Sequence, residues 1–316
     1  MQKESKKSLD GTTAVQTVIP ILILVGIGYL SRRTGVLRSG DERVLNAYVY
    51  YFALPALFLV DLSATDFTSQ NLSFVLTGIV PVVVVVGVYF LLHLALRFSK
   101  DTLYLLVVTT VFGSLAFFGI PFLVFAFPEA ESLATLSAAS IAVVSVPISI
   151  TVLEFYRSDE LDTVERLKLI GKRFSRNPLI VSIFLGLVMS VLKFDFPNPV
   201  AASLHMLGIT TAPVAIFLLG VFLYGRRYTN IRKAFQLSLL RIVFLPTLAL
   251  IFTFLLSVHS LERTIIVIMH ATPIAISTIV LSERYDFHKE TIASVLLISS
   301  LGAAAYLNLW LLFLGH

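Results

Sequence analysis

Long apolar runs alternate with short polar interruptions along the whole chain. A membrane-spanning helix needs about 20 mostly apolar residues. Ten runs approach that length, at 14–30, 44–60, 74–96, 102–127, 132–156, 178–194, 199–225, 234–258, 264–282 and 291–314. Each is bounded by charged or turn-forming residues, so the pattern predicts an all-α integral membrane protein with ten transmembrane helices. The one long interruption, 157–177, carries Ser158, Asp159, Glu160, Asp162 and Glu165 and then Lys168, Lys172, Arg173 and Arg176. It reads as a cytoplasmic linker between a first five-helix repeat (14–156) and a second (178–316), with residues 1–13 as a polar tail.

Composition narrows the solvent. Of 316 residues, 57% are hydrophobic and 14% charged, with a mean hydropathy of +0.91, whereas soluble domains carry about 25% charged residues. Such a chain is solvated by lipid. The excess of 24 basic over 19 acidic residues lies in short loops rather than along one stripe, which argues against nucleic acid as a partner. With no cysteine, thiolate metal sites are excluded; with no HExxH, no GxSxG and no interior carboxylate pair there is nothing from which to build an enzyme's acid, base or nucleophile, and no metal or cofactor is expected. All acidic residues fall in loops or near helix ends, including Glu154 close to Arg157 and Asp61 just past the second run. That speaks against an antiporter built on buried aspartates.

Loop charge sets orientation, because basic short loops stay on the cytoplasmic side. Eighteen of the 24 lysines and arginines lie in the loops after runs one, three, five, seven and nine. The chain is therefore expected to sit multi-pass in the cell membrane with both termini outside the cytoplasm.

Prolines expose an internal repeat. Pro20 and Pro55 are 35 residues apart, as are Pro178 and Pro213; each half then has a proline in its third run (Pro81, Pro246) and one midway along its fourth (Pro121, Pro273). Because five crossings is an odd number, the halves would be inserted in opposite senses, a mark of secondary transporters. The fourth run of each half sets small or hydroxylated residues beside its proline, in Gly113-Ser114…Gly119-Ile120-Pro121 and in Thr272-Pro273-Ile274-Ala275-Ile276-Ser277. Proline cannot donate to the carbonyl one turn back, so both helices are expected to break at Pro121 and Pro273. Crossing there, the half-helix ends would form an anion site at the midplane.

Two ionisable residues lie within apolar runs. His270, three residues before Pro273, is either a proton carrier or a histidine bonded to a backbone carbonyl. Arg241 sits roughly 10 Å into the eighth run at 1.5 Å per residue; snorkelling to the interface explains it slightly better than anion coupling.

Several stretches resemble the auxin efflux carrier family: Ile19-Pro20-Ile21-Leu22 with Gly26 to Arg33, Ala53-Leu54-Pro55-Ala56-Leu57, Phe118-Gly119-Ile120-Pro121-Phe122-Leu123, Asn177-Pro178-Leu179-Ile180, Ala212-Pro213 with Leu219-Gly220, and Thr272-Pro273-Ile274-Ala275. The resemblance spans nearly the whole chain. It implies ten helices as two inverted repeats with crossing broken helices four and nine, and an elevator-type permease or efflux carrier for a small organic anion. Helices one, two, six and seven would form the scaffold, as in related dimeric carriers. Substrate contacts would fall at Ser114, Gly119, Pro121, Pro273, Ser277, Pro55 and Pro213. Ser114 and Ser277 stand where many relatives have asparagine, so substrate identity does not transfer. An ion-coupled symporter, or a channel or sensor of the same fold, is the alternative left open.

Overall fold

The computed structural model describes residues 11–65, 69–157, 163–194, 196–225 and 227–315, and among these the secondary structure is helical. In the first half, α1 (Gly11–Arg33) is followed by α2 (Asp41–Tyr48) and α3 (Leu54–Ser63), then α4 (Ser69–Leu96), α5 (Lys100–Val111), α6 (Ile120–Ala126) and α7 (Glu131–Arg157). After α8 (Thr163–Phe174), the second half holds α9 (Pro178–Val191), α10 (Asn198–Gly208), α11 (Thr211–Leu223), α12 (Ile231–Leu239), α13 (Leu245–Leu255), α14 (Ser260–Ala271), α15 (Ser277–Tyr285) and α16 (Lys289–Phe313). Every one of the ten apolar runs is helical for most of its length. Among the described residues, five helices are long and apolar enough to cross a membrane, and up to seven if two bent pairs each count as one span. The tail falls mostly outside the described residues, as do 158–162 of the linker; the rest of the linker holds the amphipathic helix α8.

The prolines act differently from the expectation of clean breaks. Three of them, Pro55, Pro121 and Pro246, each follow by two residues a single wide π-turn: Val49–Ala53, Leu115–Gly119 and Leu240–Phe244. A proline ring clashes with the carbonyl four residues back, and in each case that carbonyl (Tyr51, Phe117, Ile242) lies inside the wide turn, which absorbs the clash without ending the helix. The carbonyl of Ile242, freed in this way, accepts from Trp310 Nε1 at 2.9 Å. Pro178 opens α9 at a position where its missing N–H costs nothing, and the Asn177 side chain accepts from the amides of Leu179 and Ile180 at 3.0 and 3.4 Å.

The two most extensive helix pairings are α1 with α11 and α3 with α9. The first depends on glycine: a β-carbon on Gly28 or Gly220 would overlap the backbone of the facing helix at Phe217 or Val25. In lipid, where apolar burial adds little between helices, such close approach is what packing relies on. Around these pairs α4, α5, α7 and α13 to α16 pack on one another. Large apolar side chains such as Leu91, Phe184, Phe254 and Phe313 remain more than half exposed, as a lipid-facing surface requires.

Candidate functional site

Two chain breaks meet in the interior. After α5 ends at Val111, Phe112 turns to φ −88, ψ 86 and Ser114 to φ −79, ψ 57 before the wide turn at Leu115 begins. After α14 ends at Ala271, Thr272 is extended at φ −54, ψ 149, and helix resumes at Ser277. The extended pieces run antiparallel, with Gly113 opposite Ile274. The amide of Ser114 donates to Pro273 O at 2.8 Å and that of Ala275 to Phe112 O at 2.9 Å, while Ile274 N donates to Ser299 Oγ at 3.3 Å. Backbone groups that two interrupted helices would leave unpaired in an apolar interior are thus satisfied across the crossing. The first break therefore lies at 112–114, seven residues before Pro121, which is fully helical within α6.

The carbonyls at the two helix ends are taken by Arg241. This side chain is fully buried, correcting the snorkelling reading. Its Nε donates to Thr272 O at 2.8 Å, Nη1 to Thr110 O at 2.7 Å and Val111 O at 3.3 Å, and Nη2 to Met269 O at 3.4 Å and Thr272 Oγ1 at 2.8 Å. The guanidinium therefore spans the C-terminal ends of α5 and α14. Those ends carry the negative pole of each helix, so the buried cation has its compensation in backbone rather than in a carboxylate. Gly113 makes the room, because a β-carbon there would overlap the guanidinium.

Beside the crossing lies a small cavity of about 60 Å³, bordered by Gly113, Ser114, Ala275 and Ser277 of the breaks and by Tyr50 and Ser145. The hydroxyls of Ser114 and Ser145 are buried with no hydrogen-bond partner. A buried hydroxyl without a partner costs about 1–3 kcal/mol, so the pair is poised to bond something that enters. The first amides of the turn starting at Leu115, which also borders the cavity, have no acceptor within their own helix. Tyr50, Phe112, Val146, Leu179 and Ser277 are shared with a larger vestibule of about 510 Å³. Its walls include Lys172, Arg173, Arg176 and Arg284, and among the described residues no acidic one lines it. Buried Glu154 pairs with Arg173 and accepts from Tyr285 Oη, both of which line the vestibule. With Arg173 neutralised, the exposed Lys172, Arg176 and Arg284 give the vestibule its positive charge.

Of the residues expected at the site, Ser114 and Ser277 border the cavity. Pro273 contributes its carbonyl to the crossing. Gly119 packs against Met269 and Thr272, where a β-carbon would come within 2.6 Å of Met269 Sδ. Pro121, Pro55 and Pro213 sit inside helices and border neither cavity. His270 is fully buried, its Nε2 2.9 Å from Gly78 O, and borders neither cavity, which matches the carbonyl-bonded alternative. Sequence reasoning missed Ser145 and Tyr50.

Residues 13–311 match the membrane transport protein family. An uncharacterised transporter of Methanocaldococcus jannaschii is 25% identical over 307 residues, covering 94% of this chain and 97% of the relative. One of Escherichia coli K12 is 22% identical over 310 residues, covering 95% and 97%. A "putative malonate transporter" of Rhizobium meliloti is 26% identical over 300 residues, covering 91% and 92%.

Proposed function

Because this chain belongs to the membrane transport protein family, the auxin efflux carrier family that its motifs resemble, we propose that it is a secondary active transporter that carries a small carboxylate bound where its two chain breaks cross. The observation that carries the reading is the pair of partnerless buried hydroxyls, Ser114 and Ser145, on the floor of a basic vestibule. A carboxylate has two acceptor oxygens and no donor. Hydroxyls, free amides at a helix start and a cationic approach supply the complementary set. The floor has room only for the carboxylate group itself, so the rest of the molecule would extend into the vestibule.

The geometry also favours an alternating-access scheme. The basic residues of the vestibule come from loops that the charge count assigns to the cytoplasm, so this form is open inward. The pairs α1–α11 and α3–α9 would be the scaffold of two inverted five-helix repeats, the scaffold also of a homodimer, and the crossing would ride in a domain that moves as an elevator in the cell membrane. The relative named for malonate puts short dicarboxylates first among substrates to try.

The test is uptake into proteoliposomes of labelled acetate, malonate and succinate. The expected result is saturable uptake of at least one, competed by unlabelled carboxylates and not by amines. Absence of saturable uptake for all three, or unitary channel currents in a planar bilayer, would overturn the reading.

A further inference from the structure

We infer that Arg241 is a tethered cation occupying the place where a carrier with broken helices would otherwise hold a coupling sodium ion, so that this carrier moves its anion without sodium. The transport half of the inference rests on the carrier reading above; the cation cage is a property of the folded chain alone.

Five oxygens surround the guanidinium, namely the carbonyls of Thr110, Val111, Met269 and Thr272 and the hydroxyl of Thr272, at 2.7 to 3.4 Å. Unwound carbonyls and the C-terminal ends of half-helices are the groups with which secondary transporters coordinate sodium. Each such end carries about half an elementary negative charge, so two ends balance one guanidinium. No carboxylate takes part, and the cation is sealed from both cavities. The Thr272 hydroxyl accepts from Nη2 and donates to Met269 O at 2.8 Å, so it too is committed to the cage. At Gly113 the fork lies where any β-carbon would stand, so the backbone of the crossing is shaped around this group. The negative ends of the broken helices are thereby permanently filled, and only the opposite, positive ends beside Ser114 and Ser277 are left for a ligand.

The experiment uses purified full-length protein and reads melting temperature without substrate. Arg241→Ala is expected to melt below the wild type and to recover in low-millimolar guanidinium or in sodium chloride. Urea, a neutral molecule of the same shape, and choline chloride should not restore it. The wild type should melt alike in sodium and choline. Failure of guanidinium and sodium to stabilise folded Arg241→Ala, or equal rescue by urea, would overturn the cage. If Arg241→Ala gives no folded protein, Arg241→Lys and Arg241→Met decide. Lysine should melt higher by several degrees; equal behaviour would mean a packing role and overturn the proposal. For transport, uptake of whichever carboxylate passes the panel above should be unchanged when choline replaces sodium, and sodium-dependent uptake by the wild type would overturn that half. If no carboxylate passes, the carrier reading falls and takes the transport half with it, while the melting data still decide the cage.

Discussion

The two chain breaks do the same job with different parts. The second is built around Pro273, which stands in the extended stretch itself, whereas the first, at Phe112 to Ser114, contains no proline. In its place stands Gly113, backed by a guanidinium. Helix resumes at once after the second break, but after the first only through the wide turn Leu115–Gly119. What the pair has in common is the crossing: each break pairs its amides with the other's carbonyls, and both helix ends are bonded by Arg241. An interruption deep in lipid is thus held by what satisfies its backbone, and proline is one aid among several.

That comparison can be broken at four points. The largest effect is expected at Gly113→Ala, whose methyl group would displace the guanidinium and open both helix ends at once. Overpacking of this kind costs about 1–3 kcal/mol, and the loss of charged hydrogen bonds adds to it, so a fall in melting temperature of many degrees is expected. Thr272→Val keeps the shape but removes the hydroxyl that links Arg241 to Met269 O, a loss of about 1.5–3 kcal/mol for a bond to a charged group. Third, the prolines should be unequal. Pro273→Ala adds an amide N–H in a buried extended stretch, where an unpaired donor costs about 1–3 kcal/mol. Pro121→Ala lets the wide turn close into ordinary helix, with an effect under about 1 kcal/mol. Equal effects would contradict the different roles given to them, and thermal unfolding of the two variants side by side decides it. Ser299→Ala, which removes the acceptor of Ile274 N and acts at the second break alone, should cost about 1 kcal/mol.

How far these features could be read in advance depended on what kind of group each one uses. Helices were legible because lipid demands long apolar runs: all ten runs are helical for most of their length, and among the described residues five helices, or up to seven with two bent pairs, are long and apolar enough to span. The crossing was half legible. Pro121 and Pro273 pointed to the right helices, but a proline acts on the carbonyl four residues back, and in the first half a wide turn absorbs that action and leaves the break to Phe112–Ser114. The glycine in Val111-Phe112-Gly113-Ser114 was the available signal. Arg241 was misread because depth along a helix says nothing about partners: its acceptors are main-chain carbonyls from two distant segments, and these have no sequence signature. Ser145 was hidden for a similar reason. It is one of several serines on α7, and only tertiary packing sets it apart, by bringing it to the cavity that Ser114 also borders.

The central claim is that a small carboxylate binds at the crossing through Ser114 and Ser145. The most direct measurement is ligand-induced thermal stabilisation of the purified wild type, Ser114→Ala and Ser145→Ala by titrated mono- and dicarboxylates. Losing one hydrogen bond to a charged ligand costs about 1.5–3 kcal/mol, so each variant should bind at least about tenfold more weakly, with its ligand-free melting temperature unchanged or raised because a partnerless buried hydroxyl is gone. Saturable stabilisation of the wild type that both variants retain with the same midpoint would contradict the account, as would a wild type that no small carboxylate stabilises.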